Sequence, residues 1–175
     1  MKKKFALTLV SLASVALLAA CGEVSTTGNS GSASGTEIGK TLKIGFNFEE
    51  TGDVASYGTA EQKAAKLAVD EINKAGGVDG KQIEVTDKDN KSELSEASTV
   101  STNLVTQAKV NAIIGPATSG GTGAAITNAA KASVPLITPS GTQDDLTKGQ
   151  DYLFRTTFID SFQGKILSKY VTDNL

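Results

Sequence analysis

Between residues 41 and 175 the apolar period switches repeatedly between two and about 3.6, and this constrains the fold more than any single motif. Leu42, Ile44, Phe46 and Phe48 alternate in a β-prone run that the turn-rich stretch Glu49 to Gly58 ends. From Thr59 to Ala75, Ala60, Ala64, Leu67, Ala68, Ile72 and Ala75 recur at spacings of three and four, and Gly76-Gly77 stops the pattern. This predicts an amphipathic helix with that stripe buried. A second strand, Gln82 to Asp87, follows the Asp79-Gly80 turn. Ser92 then stands where it can cap a helix with Glu93 and Glu96 in its first turn and Leu94, Ala97, Val100, Leu104 and Ala108 as its buried stripe. Asn111 to Gly115 reads as a short strand, about Ser119 to Ala132 as an Ala-rich helix, Val134 to Thr138 and Tyr152 to Thr156 as strands, and Phe162 to Val171 as a last helix.

This order predicts the α/β class: a parallel sheet flanked by helices, with right-handed crossovers. In open sheets of that kind ligands collect beyond the carboxyl ends of the strands. The loops to inspect are therefore Glu49 to Gly58, Pro116 to Thr122 and Pro139 to Asp145.

The run Gly115-Pro116-Ala117-Thr118-Ser119-Gly120-Gly121-Thr122-Gly123 joins a strand to a helix, so unpaired amides and the positive helix end form a cradle for a carboxylate or phosphate. Ser119 and Thr122 add hydroxyls, and Gly120 permits close approach. The same residues also fit a flexible turn with Ser119 as the N-cap. Gly115, Gly120 and Thr122 match the spacing of a phosphate-binding loop, but Gly121 stands where its lysine must be, which argues against nucleotides. Ala117 to Gly121 resembles a nucleophile elbow, yet the chain has no histidine to activate Ser119. After the next strand, the carbonyls of Ser140 and Gly141 and the Thr142 hydroxyl offer acceptors to an ammonium group, or form an ordinary turn. Tyr57 covers an apolar ligand group or packs on its own loop. Glu49, Glu50 and Asp53 read as solvated loop charges.

The absence of histidine excludes Ser-His-Asp and Cys-His catalysis and imidazole-ligated zinc, and no cofactor is expected. With aromatics sparse and no basic cluster after Lys4, nucleic acid is not an expected partner. Met1-Lys2-Lys3-Lys4, an apolar stretch from Phe5 to Ala20 and small residues at its end have the anatomy of a secretory signal peptide over residues 1–20. The sole cysteine, Cys21, directly follows Leu18-Ala19-Ala20 and resembles a bacterial lipobox, so Cys21 is expected to be lipidated; the other reading is a plain thiol. Two acyl chains would hold the protein on the membrane at its extracytoplasmic face. Residues 21–40, rich in Ser, Thr and Gly after Cys21, read as a tether spanning on the order of 25 Å. Removing the three lysines with the signal takes the formal charge from −2 to −5.

The chain resembles the branched-chain amino acid binding proteins of ABC importers, receptors with the type I periplasmic-binding fold. The resemblance rests on Thr51-Gly52 with Tyr57-Gly58, on Ala68 to Asn73 running into Gly76-Gly77-Val78-Asp79-Gly80, on Ile113 to Pro116, on Ile137 to Thr142, and on Phe154 to Thr157 leading to Gln163-Gly164. It implies that Ser119 and adjoining amides hold a ligand's α-carboxylate, that Ser140 and Thr142 hold its α-ammonium, and that Tyr57 borders the aliphatic side chain. It also implies a permease partner and no catalysis. Some members pair cysteines in this lobe, and Thr118 occupies one such place. The resemblance covers residues 41–175 as an N-terminal, Rossmann-like ligand-binding lobe, about half of a typical member. The resemblance implies that a second lobe, with part of the site and the cover of one sheet edge, is expected to lie outside residues 41–175.

Overall fold

A computed structural model describes residues 38–175. The signal peptide, the lipidation expected at Cys21 and nearly all of the tether lie outside the described residues. Five strands run β1 (Leu42–Phe48), β2 (Ile83–Asp89), β3 (Ala112–Ile114), β4 (Leu136–Thr138) and β5 (Leu153–Arg155). They form one sheet in the order β2-β1-β3-β4-β5, with every pair parallel. The helices are α1 (Ala55–Lys74), α2 (Leu94–Asn103), α3 (Ser119–Lys131) and α4 (Asp160–Asn174), and a π-helical turn, Leu104–Ala108, extends α2. The expected parallel α/β lobe is thus observed. Among the described residues no helix is long and apolar enough to cross a membrane.

The alternation in β1 separates two cores. Ile44, Phe46 and Phe48 are buried with Ile83 and pack against Ala65 and Val69 of α1. The Phe46 and Phe48 rings meet edge to face, 5.6 Å between centroids. The opposite face of β1 is covered by α2, so its residues are small or polar with a partner. A Cβ on Gly45 would lie 2.8 Å from Leu104 Cδ1, and buried Asn47 donates from Nδ2 to the Ala97 carbonyl at 2.9 Å. On this second face Val100, Leu104, Ile113, Ala125, Ile126 and Leu136 form the larger core with α3.

Two expectations about helices are overturned. In α1 the predicted stripe faces outward: Leu67 is 60% exposed, and Ala60, Ala64, Ala68, Ile72 and Ala75 are exposed too. Its inward face is Gly58, Gln62, Ala65, Val69 and Asn73, where spacings of three and four also hold. Gly58 is on that face because a Cβ there would come within 2.3 Å of the Glu49 carbonyl oxygen. Asn73 pairs with β2 in place of apolar packing, donating to the Ile83 carbonyl at 2.9 Å and accepting its amide at 2.7 Å. Ser92 does not cap α2: its hydroxyl donates to the Thr51 carbonyl at 2.7 Å and accepts from the Val54 amide at 3.3 Å. In the expected α2 stripe, Ala97, Val100 and Leu104 are buried, whereas Leu94 is exposed.

Candidate functional site

The strand order reverses between β1 and β3, since β1 leads to β2 on one side and β2 crosses back to β3 on the other. The carboxyl ends of β1, β3 and β4 therefore open onto one crevice, with the start of α1, the start of α3 and the loop after β4 around it.

Beneath the crevice lies Glu49, 1% exposed, at the end of β1. Its carboxylate accepts the Ala117 amide at 2.9 Å, the Thr118 amide at 3.2 Å and the Thr118 hydroxyl at 2.8 Å. This corrects its reading as a solvated charge, and it also corrects the reading of the loop as an open anion cradle. Part of that cradle is already filled by the protein's own carboxylate. Glu50, also read as solvated, accepts from Gln62 Nε2 at 2.9 Å. Burial, followed by the hydrogen bond and charge of Asp87, pushes the Glu50 carboxyl above its usual range.

The N-cap of α3 is Thr118, not Ser119: the Thr118 hydroxyl oxygen accepts the Gly121 amide at 3.1 Å. Thr118 thus ties Glu49 to the helix start. Gly115 allows the chain to enter this loop, with φ +91 and its Cβ position only 2.5 Å from the Asn47 carbonyl oxygen. Ser119 and Gly120 begin α3, and among the described residues their amides have no protein acceptor, as expected for a first helical turn. The Ser119 hydroxyl accepts the Gln143 amide at 3.2 Å, which joins α3 to the loop after β4.

That loop is held from below and from the side. Thr138 Oγ1 donates to the Pro116 carbonyl at 2.8 Å and accepts the buried Gly141 amide at 3.0 Å. Arg155 of β5 donates to the Gly141 carbonyl at 3.3 Å and to the Gln143 carbonyl at 2.7 Å, so the Gly141 carbonyl is already engaged. Ser140 and Thr142 are half-buried in this loop, and the Thr142 carbonyl accepts the Asp160 amide at 3.0 Å. Among the described residues the Ser140 carbonyl and the Thr142 hydroxyl have no protein partner.

One residue that the sequence did not single out joins this group. Glu61, one turn after Tyr57 on α1, accepts a hydrogen bond from the Ser140 hydroxyl through Oε1, and its Oε2 is buried without a partner. Burial raises the Glu61 carboxyl above its ordinary value and the Glu49 charge adds to this, while the Ser140 hydrogen bond opposes it. The spacing of four from Tyr57 was its only signal in the sequence. Tyr57 is 60% exposed. Ser119 is thus tied to the loop after β4 through Gln143, Gly141 is held there by Thr138 and Arg155, and Ser140 is joined to Glu61 of α1, while Tyr57 makes no side-chain hydrogen bond among the described residues. Among the described residues no group of three or more His, Cys, Asp or Glu could hold a metal ion.

The Thr122 hydroxyl, expected to face a ligand, is buried and donates to the Pro116 carbonyl at 3.1 Å, so what the crevice offers is polar capture by the Ser119 and Gly120 amides and the Ser119 hydroxyl for an anion, and by a carbonyl and a hydroxyl beyond β4 for a cation. A periplasmic binding protein family model matches residues 41–175. The chain belongs to the periplasmic binding protein family. Among its relatives is the leucine-, isoleucine-, valine-, threonine- and alanine-binding protein of Pseudomonas aeruginosa, 33% identical over 144 residues, which are 82% of this chain and 38% of the relative. The crystal structure of the branched-chain amino acid transporter substrate-binding protein LivJ of Streptococcus pneumoniae, in complex with isoleucine, superposes with a TM-score of 0.74 at 73% identity. The match covers 77% of this chain and 38% of LivJ. A solute-binding protein of an ABC transporter from Rhodopseudomonas palustris, in complex with 3,4-dihydroxybenzoic acid, superposes with a TM-score of 0.64 at 33% identity over 69% of this chain and 33% of its own. This periplasmic binding protein therefore spans less than two fifths of the length of these relatives, and they are binding proteins rather than enzymes.

Proposed function

We propose that this chain is the ligand-binding lobe of an extracytoplasmic receptor that binds branched-chain amino acids and delivers them to an ABC importer. The observation that carries the reading is the 73% identity to LivJ, which was crystallised with isoleucine. The crevice chemistry agrees with it. The α-carboxylate would lie against the Ser119 hydroxyl and the amides of Ser119 and Gly120, at the positive end of α3. The α-ammonium would meet the Ser140 carbonyl and the Thr142 hydroxyl, with Gly141 giving close backbone approach, and Tyr57 would border the aliphatic side chain. Binding involves no covalent step and no cofactor.

In this reading residues 1–20 are a signal peptide and residues 21–40 a tether, with Cys21 lipidated to hold the receptor at the membrane beside the permease subunits. Residues 41–175 are the lobe that makes the contacts above, and a second lobe of the kind its longer relatives accommodate would close on the ligand. The dihydroxybenzoate complex favours a second reading, in which the ligand is a carboxylate without an ammonium group.

Saturation-transfer NMR on the purified chain, with isoleucine, leucine, valine, glutamate and 3,4-dihydroxybenzoate in turn, separates the two. Transfer to the three branched amino acids alone is the expected result. Transfer only to the aromatic acid would replace the first reading with the second, and transfer to none of them would remove both.

A further inference from the structure

A binding protein for a zwitterion has to reject ligands that share its carboxylate and side chain but lack the ammonium group. The carboxylate end of the crevice cannot do this, because Ser119 and the α3 amides take any carboxylate. Discrimination must come from the Ser140 and Thr142 end, and there the neutral acceptors are a carbonyl and a hydroxyl. The one charged side chain bonded to that end by a carboxylate is Glu61, through the Ser140 hydroxyl. Arg155, the nearby cation, is bonded to the Gly141 and Gln143 carbonyls rather than to Glu61.

We infer that Glu61 is a specificity residue of this site: it fixes Ser140 by accepting its hydroxyl and sets a negative charge behind the acceptors that meet the ligand's ammonium group. This rests on the amino acid reading above. Three observations support it independently of one another. The Ser140 contact places the carboxylate directly behind a site residue. The second carboxylate oxygen, Oε2, is buried and has no hydrogen-bond partner among the described residues, so the Ser140 hydroxyl is the one donor this carboxylate has there. Finally, the charge that acts on Glu61 from Glu49, at the end of β1, is also negative and raises the Glu61 carboxyl further, so this neighbour is no counter-ion. Such an arrangement costs stability unless a cation arrives, and the ammonium group of the ligand is that cation.

The test compares isoleucine with 3-methylpentanoate, which keeps its carboxylate and side-chain skeleton and lacks the amine, on the full wild-type chain and on Glu61→Gln. Glutamine retains an oxygen for the Ser140 hydroxyl and removes the charge, so a purely structural role would leave the preference between the two ligands untouched. Glu61→Gln is expected to lower the affinity for isoleucine by about tenfold, the scale of one partly buried charge interaction, and to leave 3-methylpentanoate unchanged or bound more tightly. Glu61→Ala should lose the same preference and weaken both ligands, because Ser140 is then unheld. If Glu61→Gln keeps the wild-type ratio of the two affinities, the inference is overturned while the amino acid reading stands. If the wild-type chain prefers 3-methylpentanoate or binds neither, the amino acid reading fails and takes the inference with it.

Discussion

Glu49 and Thr118 together decide the shape of the crevice. A carboxylate inside a lobe survives only with strong donors, and Glu49 has three within 3.2 Å, all from two residues nearly seventy positions later in the chain. Glu49→Ala therefore deletes the acceptor and leaves the buried Ala117 amide unpaired beside a loosened Thr118. We expect it to cost about 3 kcal/mol in urea denaturation, the range for losing hydrogen bonds to a charged group. A cost under about 0.5 kcal/mol, the level of an ordinary surface substitution, would mean that the charge is solvated after all. The sequence marks Ser119, Ser140 and Thr142 because small polar residues after apolar strands announce loops at the carboxyl ends of a sheet. Glu49 and Glu61 were not legible in the same way. A loop glutamate and a solvated one have the same letter, and a helical glutamate amid lysines and alanines reads as surface until Ser140, far away in sequence, is placed against it.

At the level of elements, α1 shows why period alone fixes a helix and not its orientation. Its alanines and leucine recur at threes and fours on one side, but the side that meets β1 needs small residues and hydrogen-bond partners more than bulk. Gly58 lets the helix start touch the backbone of Glu49, and Gln62 bridges Glu50 and Asp87 with Nε2 bonds of 2.9 and 2.7 Å. The strands and α3 were legible because their apolar residues do both jobs at once, as in β1, where the same alternation seats Phe46 and Phe48 against α1; α4, which buries none of its residues, was legible by period alone. This separation predicts an inversion of the usual order of severity. Gly58→Ala, a one-methyl change, should destabilise by about 3 kcal/mol through backbone overlap at 2.3 Å. Leu67→Ala, which removes a large apolar side chain, should cost no more than about 0.5 kcal/mol. Equilibrium unfolding of the two variants checks this, and a larger loss for Leu67 would restore the outward stripe as the packed face.

At the scale of the whole lobe, the two sides of the sheet are unequally covered. The α2 and α3 side is closed over β3, β4 and β5, whereas on the α1 side Phe154 of β5 is half-exposed and α4 buries none of its residues. Phe158, Phe162, Ile166, Leu167 and Tyr170 line an open groove of 360 Å³ along α4. An apolar surface of this kind contributes nothing to the stability of the lobe that carries it, yet it binds any apolar surface that meets it, including another copy. Replacing Phe162, Ile166 and Tyr170 together by Ser should therefore separate two properties that normally move together. Binding of a hydrophobic dye and concentration-dependent association by sedimentation should both fall several-fold, while unfolding free energy stays within about 0.5 kcal/mol of wild type because no core contact is lost. If the triple variant instead loses its cooperative unfolding transition, α4 packs on the lobe and contributes to its core, and the groove is not a surface left free for association.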